Sequence, residues 1–409
     1  MEESLKHPAN SSLTLNRAEP YSLYHKNRTE TPVLYEGDGY WVVTRYADVA
    51  AALRDPRLSS ARFDTNYPSE VEGKEFTSLL SLLDKQLIFS DHPVHTRLKG
   101  VISKVLTARL DETMRSKIAS ITNNLLDKAQ NEDEREMDLI KEFALPLPVL
   151  IITEMLGITG ANIKQLDIWA DNILNFLGTS GNVPMLASRA LKSINEMKSY
   201  LESIIEQTRQ TPRTDDLISA LIAVHETESG LLSREELIAN CILLLFTGHE
   251  TITHSIGNGV LSLLQTPDQL AKLKAEPALI RVAVEELLRY DTPVQGVSRI
   301  ATRDLEISGH TINKGQRVLL MLGAANRDPE QFKEPDRLDI TRQENRHLTF
   351  GYGGHFCLGA ALARLEIQVA IENLLLRFPN IGLANINTAN ELKWRTSGFR
   401  GLKELVIRF

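Results

Sequence analysis

Cysteine is scarce: Cys241 and Cys357 are the only two in 409 residues. In so long a chain, with no apolar signal core between Met1 and Glu30, that count argues against a disulfide framework. Two thiols cannot build a structural zinc site alone, and without a C-x-x-C-H element covalent c-type haem attachment is not indicated. Long apolar runs are missing as well. The densest, Leu145–Ile152 (broken by prolines) and Cys241–Phe246, fall far short of the roughly twenty residues that span a bilayer. A cytoplasmic protein with no membrane contact is expected. Nor is there a basic excess: the formal net charge is −7, which speaks against a general nucleic-acid binder. Length alone suggests about two or three domains, but no Gly/Ser/Pro-rich linker, internal repeat or low-complexity tract divides the chain.

What is present is a large apolar supply, 42% of residues, arranged mainly with helical spacing. Residues 93–291 and 358–378 read as helical, with breaks near Thr107, Asn131, Gly157 and Gly160, Gly178 to Pro184, and Thr211 to Thr214. Residues 32–45, 297–321 and 389–409 are β-rich, and the first contains a hairpin around Glu36-Gly37-Asp38-Gly39, followed by a helix over 46–53. Residues 60–90 read as a long loop with at most a short helix, and 336–346 as irregular. The clearest helix starts at the capping box Ser233-Arg234-Glu235-Glu236, with Leu232 and Leu237 placed as a hydrophobic staple. It is expected to run unbroken to about Gln265, roughly 45 Å. Another is expected to start at Pro277. The fold class expected is one large, mainly α domain with a smaller β-rich portion.

The most informative segment is Phe350-Gly351-Tyr352-Gly353-Gly354-His355-Phe356-Cys357-Leu358-Gly359. Its glycines permit a sharp turn and close approach of another group. The helix former Ala360–Glu366 follows, so Cys357 stands at a helix N-terminus, where dipole and free N–H groups favour an anion. That setting is expected to lower the thiol pKa from about 8.5 by one to several units. On residues alone a buried structural cysteine remains an equal alternative; a His355–Cys357 nucleophile pair is weaker.

Phe350-x-x-Gly353-x-x-x-Cys357-x-Gly359 resembles the haem-binding signature of the cytochromes P-450, and the remaining motifs occur in order over essentially the whole chain. The resemblance implies the cytochrome P-450 fold, haem b with Cys357 as iron ligand, and O2 as co-substrate. It also implies the reaction: insertion of one oxygen atom into a hydrophobic small molecule such as a fatty acid, steroid, terpenoid or polyketide. No flavin or nicotinamide fingerprint is visible. Electrons would therefore come from NAD(P)H through a ferredoxin or flavodoxin and its reductase, docking near Cys357.

Further residues take roles from the same resemblance. Thr247-Gly248-His249-Glu250-Thr251 resembles the A/G-G-x-D/E-T motif: Gly248 would make room for dioxygen, and Glu250 and Thr251 would relay protons to it. Read without the family, this is a helix kink with polar residues, since mid-helix hydroxyls bond back to carbonyls; a π-bulge would suit it. Thr247 departs from the family's Ala or Gly and points to substrate contact. His249 receives no catalytic role. His95, Lys99 (in place of the usual Arg), Arg299 and His355 match propionate contacts, with Arg97 compensating for Lys99 only if it faces the haem. Glu286 and Arg289, at i and i+3, are either a surface pair or the family's buried E-x-x-R pair, with Arg337 as third member. Pocket candidates are Leu244, Thr247, Val294, Val297 and Phe399, with parts of 65–90, the region of Phe176–Met185, and Ser397-Gly398. Two alternatives share the fold, a peroxide-driven peroxygenase and a non-catalytic activator; a haem sensor would need an output domain.

Overall fold

The computed structural model describes residues 19–36, 39–61, 74–130, 135–178, 184–211, 213, 215–384, 392–395 and 399–409. Helix α1 (Tyr21–Glu30) opens the described chain. Nothing in the polar composition of residues 1–30 signals it; one inward face carries Tyr24, Asn27 and Arg28, and Arg28 Nη1 donates to the Ala324 carbonyl at 2.8 Å. The hairpin is as expected: β1 (Val33–Glu36) and β2 (Tyr40–Val43) pair antiparallel, Val33 opposite Val43; its tip, Gly37 and Asp38, lies outside the described residues. Next come α2 (Tyr46–Ala52) and β3 (Leu58–Ser59).

The segment 60–90 carries more helix than the single short one expected of it. It holds α3 (Lys74–Asp84) and a 3-10 turn at Leu87–Phe89. Leu79 and Leu83, one turn apart, are fully buried; that short apolar face outweighs the breaker-rich flanks. Residues 62–73 lie outside the described residues.

The helices end beside the breaks that composition indicated, but a short strand at Glu136–Asp138, paired with the C-terminal strand, interrupts the span read as helical. The chain continues as α4 (Val94–Thr107), α5 (Glu112–Gln130), β4 (Glu136–Asp138), a π-helical turn at Leu139–Ala144, α6 (Pro146–Leu156), α7 (Ile163–Gly178), α8 (Pro184–Gln210) and α9 (Leu217–Thr227). Gly157 ends α6 at φ 80°, and a Cβ there would stand 2.7 Å from Asp216. Only glycine fits both the turn and the neighbour.

The long helix, however, is two: α10 (Arg234–Thr247) and α11 (Glu250–Leu264). Its start is as expected, with the reciprocal Ser233–Glu236 capping box formed. The break has a physical cause. Thr247 Oγ1 donates to the Leu243 carbonyl at 2.6 Å, His249 Nδ1 to Leu245 at 2.7 Å, Thr251 Oγ1 to Thr247 at 3.4 Å and Ser255 Oγ to Thr251 at 2.8 Å. Four side chains bonding back onto the i−4 carbonyls bend the helix away from its axis. The result is a turn at Gly248-His249, not a π-bulge; the π geometry lies in the Leu139–Ala144 turn, which packs on α11 through Ile140 at Gly257.

Beyond α12 (Pro267–Ala275), Pro277 opens a 3-10 turn and α13 begins three residues later (Ile280–Tyr290). Strands β5 (Val297–Ala301), β6 (Leu305–Ile307), β7 (His310–Ile312) and β8 (Arg317–Leu320) precede the one-turn α14 (Leu322–Ala325), α15 (Ala360–Arg377), β9 (Gly382–Leu383) and β10 (Val406–Arg408). One five-stranded sheet runs β1-β2-β8-β5-β3, with β2 and β8 parallel; β4-β10-β9 and β6-β7 form smaller sheets. Residues 385–391 and 396–398 lie outside the described residues, and with them 389–391 and 396–398 of the stretch expected as β-rich and the pocket candidates Ser397 and Gly398. The main apolar core joins α3 to α13 and α15, while the five-stranded sheet has its own cluster around Val43, Val318 and Leu320. Among the described residues, no helix is long and apolar enough to cross a membrane.

Candidate active site

The loop before α15 is closed by its own backbone. Cys357 N–H donates to the Phe350 carbonyl at 2.8 Å, and Gly351 and Gly353 adopt φ 71° and 76°, where a side chain is strained. At Gly353 a Cβ would also stand 3.1 Å from the Leu53 carbonyl, whereas at Gly359 it would meet nothing within 4 Å. The Phe350 ring lies 4.4 Å from the Arg364 guanidinium, which is itself clamped by Glu285 through bonds of 2.7 and 2.8 Å. The Cys357 side chain is accessible, yet enough protein surrounds it that burial pushes the thiol pKa up; the Gly359 N–H, Arg364 and Lys99 pull the other way without cancelling this. The expected lowering is therefore corrected: the local donors act as anticipated, but desolvation outweighs them. A metal cation would reverse the balance, since a coordinating thiol is deprotonated outright.

Basic side chains converge beside this loop. The His95 and His355 rings are 4.0 Å apart. Burial, then His95, Arg299 and Lys99, hold His355 down at about 3 against the opposing pull of Asp91. His95 is lowered by burial and by Lys99. Arg299, on β5, is buried enough for its pKa to fall to about 10, with Asp91 opposing. Its guanidinium donates to the Ser298 carbonyl at 2.9 Å. Asp91 is largely engaged by the Ser59 hydroxyl and the Ser60 N–H. Three potential cations thus crowd one another with a single, already bonded carboxylate near them. Such a set fits an anionic group of two carboxylates, as haem carries. Lys99 acts differently. Its ammonium donates to the Gly354 and Phe356 carbonyls and ties α4 to the cysteine loop. Arg97 does not face this group. It pairs with Glu236 at 2.6 Å and donates to the Leu231 carbonyl.

Opposite chemistry occupies two faces of the α10–α11 junction. Leu244, Thr247, Gly248 and Thr251 keep partly accessible surface while their helix neighbours are buried; the spacing of three, four and seven puts them on one face. Val294, Val297 and Phe399 are likewise half-buried apolar side chains. Gly248 is required by packing: a Cβ would stand 2.5 Å from the Leu244 carbonyl and 3.0 Å from Ile152. Packing alone thus restricts this position to glycine. Glu250 points away from the threonine face. Its Oε2 lies 3.1 Å from His254 Nε2, both side chains buried, and its Oε1 has no partner. Burial works to raise the Glu250 pKa, but His254, Arg395 and His249 outweigh it and hold the carboxyl at about 2.

Glu286 and Arg289 form the buried pair, joined at 2.7 and 2.8 Å. The third side chain is Arg342, not Arg337. Arg342 Nε reaches Glu286 Oε2 at 3.1 Å, whereas the Arg337 side chain is two-thirds exposed and faces Glu334 at 3.8 Å. Arg337 contributes its backbone carbonyl to Arg289 instead. Sequence reasoning also passed over Arg364, His254 and Asp167. His254 was findable, one turn after Glu250; Asp167 comes from a distant helix and carried no local signal.

Comparisons with known proteins bear on the family of the chain. The family model described as cytochrome P450 matches residues 40–380. The chain is 38% identical to the biotin biosynthesis cytochrome P450 of Bacillus subtilis, over 95% of this chain and 96% of the relative. It is 37% identical to the polyketide biosynthesis cytochrome P450 PksS of the same organism, over 100% and 99%. The crystal structure of P450BioI in complex with hexadec-9Z-enoic acid ligated acyl carrier protein superposes with a TM-score of 0.86 at 36% identity, covering 96% of this chain and 99% of that one.

Proposed function

The chain belongs to the cytochrome P450 family, and from that premise we propose that it inserts one oxygen atom of O2 into an acyl or polyketide-like chain. Its class is that of an oxidoreductase, a monooxygenase. The observation that carries the reading is the accessible Cys357 thiol beside the crowded His95, His355 and Arg299. Haem b, bound through Cys357, would supply the activation of dioxygen. The residues of the chain do the rest. His95, Arg299 and His355 neutralise the propionates, and Lys99 fixes the loop carbonyls, so the Lys-for-Arg departure trades a propionate contact for a loop clamp. Phe350, held by Arg364, fixes the entry of the loop, and Gly359 keeps the approach above α15 clear.

On the other side, Leu244, Val294, Val297 and Phe399 exclude water and contact an apolar substrate, and Thr247 borders it. Thr251 and Glu250 pass protons on. The acyl-type substrate is favoured because the named relatives serve biotin and polyketide biosynthesis and a solved relative holds a fatty acyl chain on its carrier. Two electrons come from NAD(P)H through a ferredoxin or flavodoxin and its reductase. The exposed Tyr352 and Phe356, with Arg54 over the Tyr352 ring at 5.0 Å, form the docking face beside Cys357.

Reduced protein under carbon monoxide is expected to show the red-shifted Soret band of thiolate-ligated haem. Spectral titration is expected to respond to long-chain acids, free or carrier-bound, and to macrolactones. A response to steroids or terpenoids alone would overturn the substrate class, and absence of the Soret band would overturn the whole reading. Turnover with peroxide and no redox chain would move the enzyme to the peroxygenases.

A further inference from the structure

Behind the threonine face lies a cluster that shares Glu250 with the proposed relay and adds two residues the relay does not use, Asp167 and His249. Asp167 on α7 meets His249 and Glu250, and one nitrogen or oxygen atom from each lies within 4.8 Å of the other two. His249 donates through Nδ1 to the Leu245 carbonyl at 2.7 Å. The carbonyl only accepts, so Nδ1 carries the hydrogen and Nε2 presents a lone pair. That Nε2 and Glu250 Oε1 are both buried without a partner. Buried acceptors without a donor are costly, and the Asp167 carboxyl is the group that the same cluster brings within reach. A span of this size is covered by one bridging water with hydrogen bonds of about 2.8 Å on either side.

We propose that Asp167 is the proton-holding residue that recharges Glu250, with His249 Nε2 as the fixed acceptor that orients the proton between them. The inference rests on the monooxygenase reading, because insertion of one oxygen atom reduces the other to water and consumes two protons per turnover. In the transfer the O–H bond of Asp167 breaks and an O–H bond forms on Glu250. Asp167 becomes a carboxylate and regains its proton from solvent, and no electrons move. Asp167 acts through Glu250 and is a positioning residue for the proton.

The surroundings suit it. Burial first, then Glu250 and Asp171, raise the Asp167 pKa to about 6 against the pull of Arg395, so Asp167 keeps a proton where Glu250 keeps a charge. The groups facing the cluster are Asp171 from α7, His249 and His254 from the α10–α11 junction, and Arg395 from the C-terminal segment. Arg395 pairs with Asp171 at the half-exposed end, where solvent reaches Asp167. Gly401 packs directly on the His254 ring and closes the other end.

The test uses haem-loaded protein and the variants Asp167→Asn and Asp167→Glu. In the resting enzyme, a protonated-carboxyl infrared band should titrate near pH 6 and vanish in Asp167→Asn, while that of the fully buried Glu366 persists. This readout needs no turnover and separates failure here from failure of the monooxygenase reading. In turnover, the wild-type rate should rise as pH falls through about 6. Asp167→Asn should lose that limb, several-fold of product per electron and much of the solvent isotope effect; Asp167→Glu should restore them. If Asp167→Asn fails to fold, the wild-type band and the Asp167→Glu profile still decide. An unchanged pH limb and isotope effect in Asp167→Asn would overturn the proposal. So would one tightly held zinc ion per chain that Asp167→Asn releases, which would make the cluster a metal site.

Discussion

Glu286 and Glu250 are both fully buried helix residues with a basic partner about one turn further on, and the molecule treats them oppositely. Glu286 receives donors on both oxygens: Arg289 twice, the Asp339 N–H at 3.0 Å, Arg342 at 3.1 Å and Asn345 at 3.1 Å. Glu250 has His254 beside one oxygen and nothing on the other. A saturated carboxylate has no capacity left to exchange a proton and can only hold chain segments together. One kept half-satisfied carries a standing cost in stability, which is tolerated where the free lone pair has a part in the reaction. Between these two acids it is the degree of saturation, not burial, that differs.

The contrast is broken most severely at Glu286. Glu286→Ala leaves Arg289, entirely buried, without its counter-charge, at an expected cost of about 3–5 kcal/mol. Little or no haem-loaded protein should accumulate; normal haem incorporation and an unchanged denaturation midpoint would show the network to be dispensable. Arg342→Ala removes one donor of the five and should cost less, about 1–2 kcal/mol, in the same denaturation measurement.

Glu250 should behave in the reverse way. Glu250→Gln keeps the shape and removes the charge and the exchangeable proton. The protein is expected to fold and take up haem, while product formed per unit time falls about 100-fold, the low end of general acid–base contributions. Electron uptake should fall less, so that reducing equivalents are lost to peroxide or water. A variant that turned over normally would make Glu250 a second Glu286.

Thr247 sharpens the same line on the accessible face. Its hydroxyl already donates to the Leu243 carbonyl at 2.6 Å, so a substrate meets its methyl group and remaining lone pairs only. Thr247→Ala should therefore change affinity or product distribution by several-fold, about 1 kcal/mol, with stability within about 0.5 kcal/mol. Identical binding and products would remove Thr247 from the pocket.

How much of this could be read from sequence follows the range of the interactions. Cys357, the glycine turn, the capping box at Ser233 and the Glu286–Arg289 pair are local patterns, and the structure has them where the pattern put them. Features set by distant packing were not legible. The bend at Gly248-His249 depends on four side chains choosing their own carbonyls. The net upward push on Cys357 depends on how much protein surrounds a loop whose dipole argument alone points down. Asp167 reaches Glu250 only because α7 packs against α10.

Arg337 is the smallest expected effect and the cleanest check on that lesson. Its position in Pro335-Asp336-Arg337 fits the third member of the ion network by spacing, but the chain turns there: Arg337 N–H donates to the Glu334 carbonyl at 3.1 Å, Glu334 takes a positive φ of 46°, and the side chain leaves toward solvent. What Arg289 uses is the backbone carbonyl of Arg337, which any residue supplies. Arg337→Ala should therefore lie within about 0.5 kcal/mol of the parent, as exposed pairs do, with full haem content. Its denaturation curve, set beside that of Arg342→Ala, distinguishes a side chain that fits a motif by number from one that reaches the buried acid. A loss at Arg337 as large as at Arg342 would mean that the loop repositions in solution and that spacing had identified the correct arginine.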